Sequence, residues 1–245
     1  QTLCRWSDPL AARDLLTREL PPDFTHTLTT LPTISATGPA ILRIIMLGRH
    51  MFHTFAFWKV RLLGSDDDAA QMQDYLKTKT FADFYAKVAF DDHAMLLTSY
   101  QHLIDVALEM ARRTKAPDWI SEARRDLAYI VQEIKQNAPP ITCDPRIFVL
   151  FKFELEFVDL QRQNAVTACQ PVIEALQAWL AERHPRSYSN VYLLGRGYLL
   201  LARLHHFRDP HDPEAHRWRQ LALDVFSHGP YADPLWGWVT TKAGV

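Results

Sequence analysis

Two histidines three residues apart, His50 and His53, are the pair in this chain best suited to hold a divalent ion, because on a helix that spacing puts both imidazoles on one face. Asp92, with Asp91 and His93 around it, would add oxygen ligands if its segment packs alongside. The same residues have a plainer use. Asp91 or Asp92 stands where a helix needs an N-cap, and histidines on an aromatic-rich helix are commonly satisfied by hydrogen bonds. A second group, His205, His206, His211 and His216, lies beside Asp209 and Asp212 and reads either as a weak metal or pH-sensitive patch or as a solvated turn. There is no GxxxxGKS/T, HExxH or GxSxG pattern, and Gly195-Arg196-Gly197 lacks the third glycine of a dinucleotide loop, with Leu200 in its place. A phosphate cradle is therefore not expected.

The scaffold that must position these groups is large enough to need no staple. A chain of 245 residues, 48% hydrophobic and 22% charged, can bury roughly 70% or more of its unfolded surface. Its 8 glycines are about half the usual proportion, which favours helices. A net charge of −1 provides no field for bulk nucleic-acid or anionic-membrane binding. Cys4, Cys143 and Cys169 are odd in number and widely spaced, which fits reduced thiols in a cytoplasm better than a secreted framework. The apolar run at 39–47 is interrupted by Arg43 and is too short to span a bilayer. A first residue of Gln rather than Met reads as processing or truncation.

Prolines and capping residues divide the chain into segments of helical period. Ser7-Asp8-Pro9 opens a helix that Pro21-Pro22 ends, and the Thr-rich stretch 24–37 reads as an extended linker. Residues 39–63 carry two apolar faces, so this helix is expected to be central, with Gly64 as its stop and Ser65 capping the next; a short helix near 81–90 follows. Tyr100, Leu103, Ala107 and Met110 recur at helical spacing within 92–115, and Pro117 opens a partner helix running to about Gln136. After Asp144-Pro145, Phe151, Phe153, Leu155 and Phe157 alternate with charged residues at strand period, yet Asp-Pro is a helix start and Lys152 and Glu156 are spaced as a helical pair. Helix is the reading adopted. Further helices are expected near 165–183, with Pro171 as a kink or the true start, near 188–207, near 213–227, and briefly after Asp233.

The last of these hairpins resembles a tetratricopeptide repeat. Leu194, Gly195 and Tyr198 match the L-G-x-x-Y of that family's first helix, and Ala215, Ala222 and Leu223 match the A-x6-A-L of its second. Leu155, Ala168, Val172, Ala175 and Leu176 offer a weaker preceding match, with Glu156 and Asp159 in place of the glycine and tyrosine. Ala168 and Ala215 stand farther apart than the family's period of about 34 residues, with 206–213 reading as an insertion. The resemblance implies that the inner face of the first helix, Ser189, Tyr192, Arg196 and Leu199, meets a partner, with Arg196 gripping a carboxylate in a two-pronged contact and Tyr192 as an aromatic anchor. A second resemblance is superficial: Asp91-Asp92-His93-Ala94-Met95 is similar to the DDxxD motif of all-helical prenyl-transfer and terpene enzymes, but Met95 replaces the last aspartate that magnesium would need.

The sequence thus predicts an all-α protein of antiparallel hairpins, stacked as in tetratricopeptide repeats or as an irregular bundle. A helical bundle over 1–138 leads into the repeat-like hairpins of 139–245, as one domain or two. The expected function is non-enzymatic recognition of a protein or peptide, as an adaptor or the regulatory part of a bacterial regulator, with no cofactor. The competing readings are a helical enzyme with a metal at His50, His53 and Asp92, and a toxin-neutralising or secretion-chaperone protein. Trp179, Trp218, Trp236 and Trp238 are candidate anchors or core fillers.

Overall fold

The computed structural model describes residues 93–136, 144–184, 186–229 and 231–243. Among them the chain is all-α, with seven α-helices, one 3-10 turn and no strand. The helices are α1 (His93–Thr114), α2 (Pro117–Gln136), α3 (Arg146–Gln163), α4 (Cys169–Ala181), α5 (Tyr188–Arg208), α6 (Pro213–Ser227) and α7 (Pro234–Lys242). The helices expected before residue 92, the linker at 24–37 and the His50, His53 and Asp92 metal reading lie outside the described residues, as does Asp91.

Local chemistry sets most of these boundaries. Asp212 and Asp233 each precede a proline and accept a backbone N–H, from Glu214 at 2.9 Å and Trp236 at 3.1 Å, so the orphan donors of α6 and α7 are satisfied. Ser187 does the same for α5 through Asn190. Pro171 falls in the first turn of α4, after the 3-10 turn Val166–Ala168, where its missing N–H costs nothing; it marks a start and not a kink. Two left-handed residues stop helices: Asn164, at φ 53°, ends α3, and Lys115, at φ 54°, ends α1 and allows the tight turn into α2. Residues 151–157 are helical despite their alternation. Helix α3 packs on α1, α2, α4 and α5, so apolar residues are wanted on most of its circumference, and Phe151, Leu155, Phe157 and Val158 are all buried.

Packing follows chain order. Helix α1 pairs with α2, α3 lies against both, α5 lies against α3 and α4, α6 pairs with α5, and α7 lies along α6. One buried core runs from Tyr100 to Val239 through all of them. Two glycines let α5 approach its neighbours this closely. A Cβ on Gly195 would fall 2.3 Å from the ring of Phe226 in α6, and one on Gly197 would fall 2.5 Å from Cδ2 of Leu180 in α4. Ala215 and Ala222 of α6 are fully buried at the same crossing.

Candidate functional site

Helices α1, α3 and α5 meet around one guanidinium. Arg196 is only 1% exposed, and its Nη2 lies 2.7 Å from Oδ1 of Asp105 on α1 and 2.6 Å from Oε2 of Glu154 on α3. Its Nε donates to Oε1 of Glu154 at 3.2 Å, and Nη1 donates to the hydroxyl of Tyr192 one turn earlier on α5, at 2.6 Å. Three rings line the rest of the site, with the guanidinium carbon 4.8 Å from the Trp236 ring, 5.1 Å from Phe151 and 5.3 Å from Tyr192. Burial works against the charge on Arg196, but the carboxylates of Asp105 and Glu154 outweigh it and hold the group protonated far above its ordinary range. Burial pushes the Tyr192 phenol upward, so it remains neutral and donates or accepts as a hydroxyl.

This geometry corrects the role that the repeat resemblance implies for Arg196. The guanidinium does make a two-pronged contact with a carboxylate, but the acids are the chain's own. Leu199 is likewise core and not surface, at 1% exposure. Ser189 and Tyr192 are partly exposed and remain at the edge of the site. The structure therefore brings Tyr192 and Arg196 together as a pair and leaves Ser189 and Tyr192 as the accessible part of the predicted face.

The histidine group divides in a similar way. His205 is buried near the end of α5, with Nδ1 2.8 Å from Oδ2 of Asp212. The same carboxylate oxygen accepts from Arg208, while Oδ1 of Asp212 caps α6. Burial raises the Asp212 carboxyl, but hydrogen bonds from His205, the Glu214 amide and Arg208 hold it below the usual carboxylate range. His211 and His216 are exposed and His206 is partly so. Among the described residues no group of three or more His, Cys, Asp or Glu side chains is arranged to hold a metal ion. The buried Cys169 thiol is pushed upward by burial, which keeps it protonated and unreactive.

The tryptophans serve mainly as fillers. Trp179 faces Phe153 with ring centroids 6.2 Å apart, and Arg183 lies 3.5 Å over its ring. Trp218 lies against Tyr198 at 5.5 Å. Trp236 stands on Tyr192 edge to face at 5.6 Å and stacks on Phe226 at 5.9 Å, so it belongs to the Arg196 site; the side chain of Trp238 lies outside the described set. Sequence reasoning missed Asp105 and Glu154. Asp105 carried one signal, a lone acid within the apolar run Leu103-Ile104-Asp105-Val106, whereas Glu154 was one of three charged residues alternating with apolar ones and carried none.

The class defined so far is an all-α protein whose successive helices share one core around a buried ionic centre. Comparison with known protein families, curated proteins and solved structures finds no match. No helix among the described residues is long and apolar enough to cross a membrane.

Proposed function

We propose that this chain is a non-enzymatic helical interaction module that recognises a protein or peptide, in the manner of tetratricopeptide-like hairpins, as an adaptor or the regulatory part of a larger cytoplasmic regulator. One observation carries the reading: α5 is held between α4 and α6 by Gly197 and Gly195, which supports a stack in which each hairpin lies on the previous one. In such a stack the first helices of successive pairs share a face. The ion pairs of Arg196 on α5 with Asp105 on α1 and Glu154 on α3 support that arrangement. Arg, Tyr and Trp, the residue types that dominate recognition energy, converge there.

The test is selection of peptides from a displayed random library on the immobilised full chain, followed by titration against variants. Arg196→Glu is unsuitable, since it would bury a third carboxylate beside Asp105 and Glu154. Ser189→Arg alters the accessible edge, and Tyr192→Ala removes the hydroxyl that accepts from Arg196 and the ring beside Trp236 without burying a further charge. Selected peptides are expected to bind the wild type and to lose affinity for both variants by ~10-fold or more. Selection of nothing above a scrambled control, on the wild type and alike on a Trp236→Ala chain whose slot beside Arg196 is open, removes the reading, and binders indifferent to both substitutions remove this face.

A further inference from the structure

Helix α7 does not resemble the helices beneath it. It has nine residues, and a helix of that length is marginal unless other elements hold it. It lies along α6, tied by Arg219, whose Nε and Nη2 donate to the carbonyls of Thr240 at 3.2 Å and Thr241 at 2.6 Å. Trp236 is its entry into the ionic centre. The indole is 2% exposed and fills a slot bounded by the Arg196 guanidinium, the Tyr192 ring and the Phe226 ring. In the short link from α6, His228, Gly229, Tyr231 and Ala232 are exposed and Asp233 is buried; Gly229 stands at φ 88°, where a side chain would be strained but nothing crowds the backbone.

These observations place one indole, on one short tethered helix, over the site where Arg196 and Tyr192 converge. We propose that α7 is a latch bound in cis at the partner site of this module, and that the partner is a short helix presenting an indole in place of Trp236. The proposal rests on the interaction reading above. The occupant is fixed by the shape and chemistry of the slot: a flat ring with a cation on one face, an edge-on phenol beside it and a stacked phenyl behind. Tethering gives α7 an effective concentration of the order of millimolar, so a free helix at lower concentration loses to it until the latch is weakened.

The test uses the full chain and a fluorescein-labelled synthetic peptide of residues 231–243, with a second peptide carrying Ala at position 236 as control. Wild type is expected to leave both peptides free. Full-length Trp236→Ala, whose own latch can no longer fill the slot, is expected to bind the Trp-bearing peptide at least ~10-fold more tightly than wild type does, and to ignore the Ala control. A folded Trp236→Ala chain, judged by helical circular dichroism, that binds the Trp peptide no better than wild type overturns the latch. Should that variant lose its helicity, hydrogen exchange on the wild type decides: α7 amides exchanging at least ~10-fold faster than those of α5 and α6 support an opening latch, and equal rates overturn it. The two proposals fail separately. Library peptides that bind wild type and Trp236→Ala equally leave the module standing without its latch, whereas a latch that opens on a chain selecting no peptide is a cap and nothing more.

Discussion

Helix α5 carries a buried cation site near its middle and a buried imidazole near its end, and the two are wired differently. Arg196 reaches acids on two other helices, Glu154 being 42 positions away in sequence and Asp105 farther still. His205 reaches Asp212, only 7 positions on, across the turn that begins α6. The first arrangement fixes how α1, α3 and α5 are stacked, and the second fixes one corner. Burial alone therefore does not measure structural consequence; what matters is the length of chain that the buried contact closes. The first prediction follows directly. Arg196→Met leaves Asp105 and Glu154 buried beside each other without their counter-charge and is expected to lower stability by about 3–5 kcal/mol. Urea unfolding measures the loss, and the triple variant Asp105→Leu, Glu154→Met, Arg196→Met is expected to recover most of it. Recovery would show that the centre is kept for its geometry or its ligand and not for stability.

Another buried acid sharpens the contrast, because among the described residues its ion-pair partner is its sequence neighbour. Asp126 on α2 is 7% exposed, and among the described residues it pairs with Arg125 at 3.2 Å, a half-exposed side chain. Burial dominates and raises its carboxyl to about 6. Its folded-state value thus exceeds the unfolded one, so the folded state binds the proton more tightly. The penalty is absent below the ordinary carboxylate range, grows as pH rises from about 4, and is complete above about 6. A shift of roughly 2 units corresponds to about 3 kcal/mol. Asp126→Asn is expected to stabilise the protein at pH 7–8 by an amount of that order and to flatten the stability profile between pH 4 and 6. Denaturant midpoints across that range test it; a variant with the wild-type pH profile would show that Asp126 is better solvated than its packing indicates.

The elements were legible where punctuation was local, and the centre was not. Pro117, Asp144-Pro145, Asp212-Pro213 and Asp233-Pro234 announce helix starts by chemistry that acts within one turn, and the structure follows them. Residues 151–157 carried a strand-like alternation because α3 is enclosed by four other helices and keeps only a narrow polar stripe, with Lys152 and Glu156 exposed while Glu154 turns to Arg196. Tyr192 and Arg196 were recognisable as a pair at helical spacing. Their acids were not, since no period links a residue on α5 to one on α1. The resemblance to a repeat implied a carboxylate as the ligand of Arg196, and the carboxylates beside it are the chain's own. The readings centred on His50 and His53 fall outside the described residues.

The close crossings that bring α5 to its place predict an asymmetry between the glycines on either side of Arg196. Gly195→Ala drives a methyl into three atoms of the Phe226 ring, all within 2.6 Å. A buried phenyl stacked on Trp236 cannot turn aside without opening the indole slot. Overpacking of this kind costs about 1–3 kcal/mol. Gly197→Ala meets only the end of the Leu180 side chain, which can change rotamer, and gains helix propensity, so its cost is expected to be about 1 kcal/mol or less. Thermal unfolding of the two variants ranks them. An equal or reversed cost would mean that α6 slides to relieve Gly195, and that the stack is held by the ionic centre and not by the crossing.

At the other end of α5, removing the acid should stay a local event. Asp212→Ala takes away the α6 cap, worth about 1 kcal/mol, and the acceptor of the buried His205. Since the Asp212 carboxyl is held below its ordinary value, its contribution is present above the usual carboxylate range and lost as pH falls through the folded-state value, the opposite sense to Asp126. Asp212→Asn keeps an oxygen for the Glu214 amide but no charge for Arg208, so it separates the two functions of the residue. Faster amide exchange at Glu214 and Ala215 is expected for Asp212→Ala and little change there for Asp212→Asn, with that of α1 and α3 unchanged in both, whereas loss of Arg196 should speed exchange in α1, α3 and α5. If Asp212→Ala loosens α1 as well, the corner is coupled to the centre through the length of α5, and the division between a long-range and a short-range buried charge on this helix does not hold.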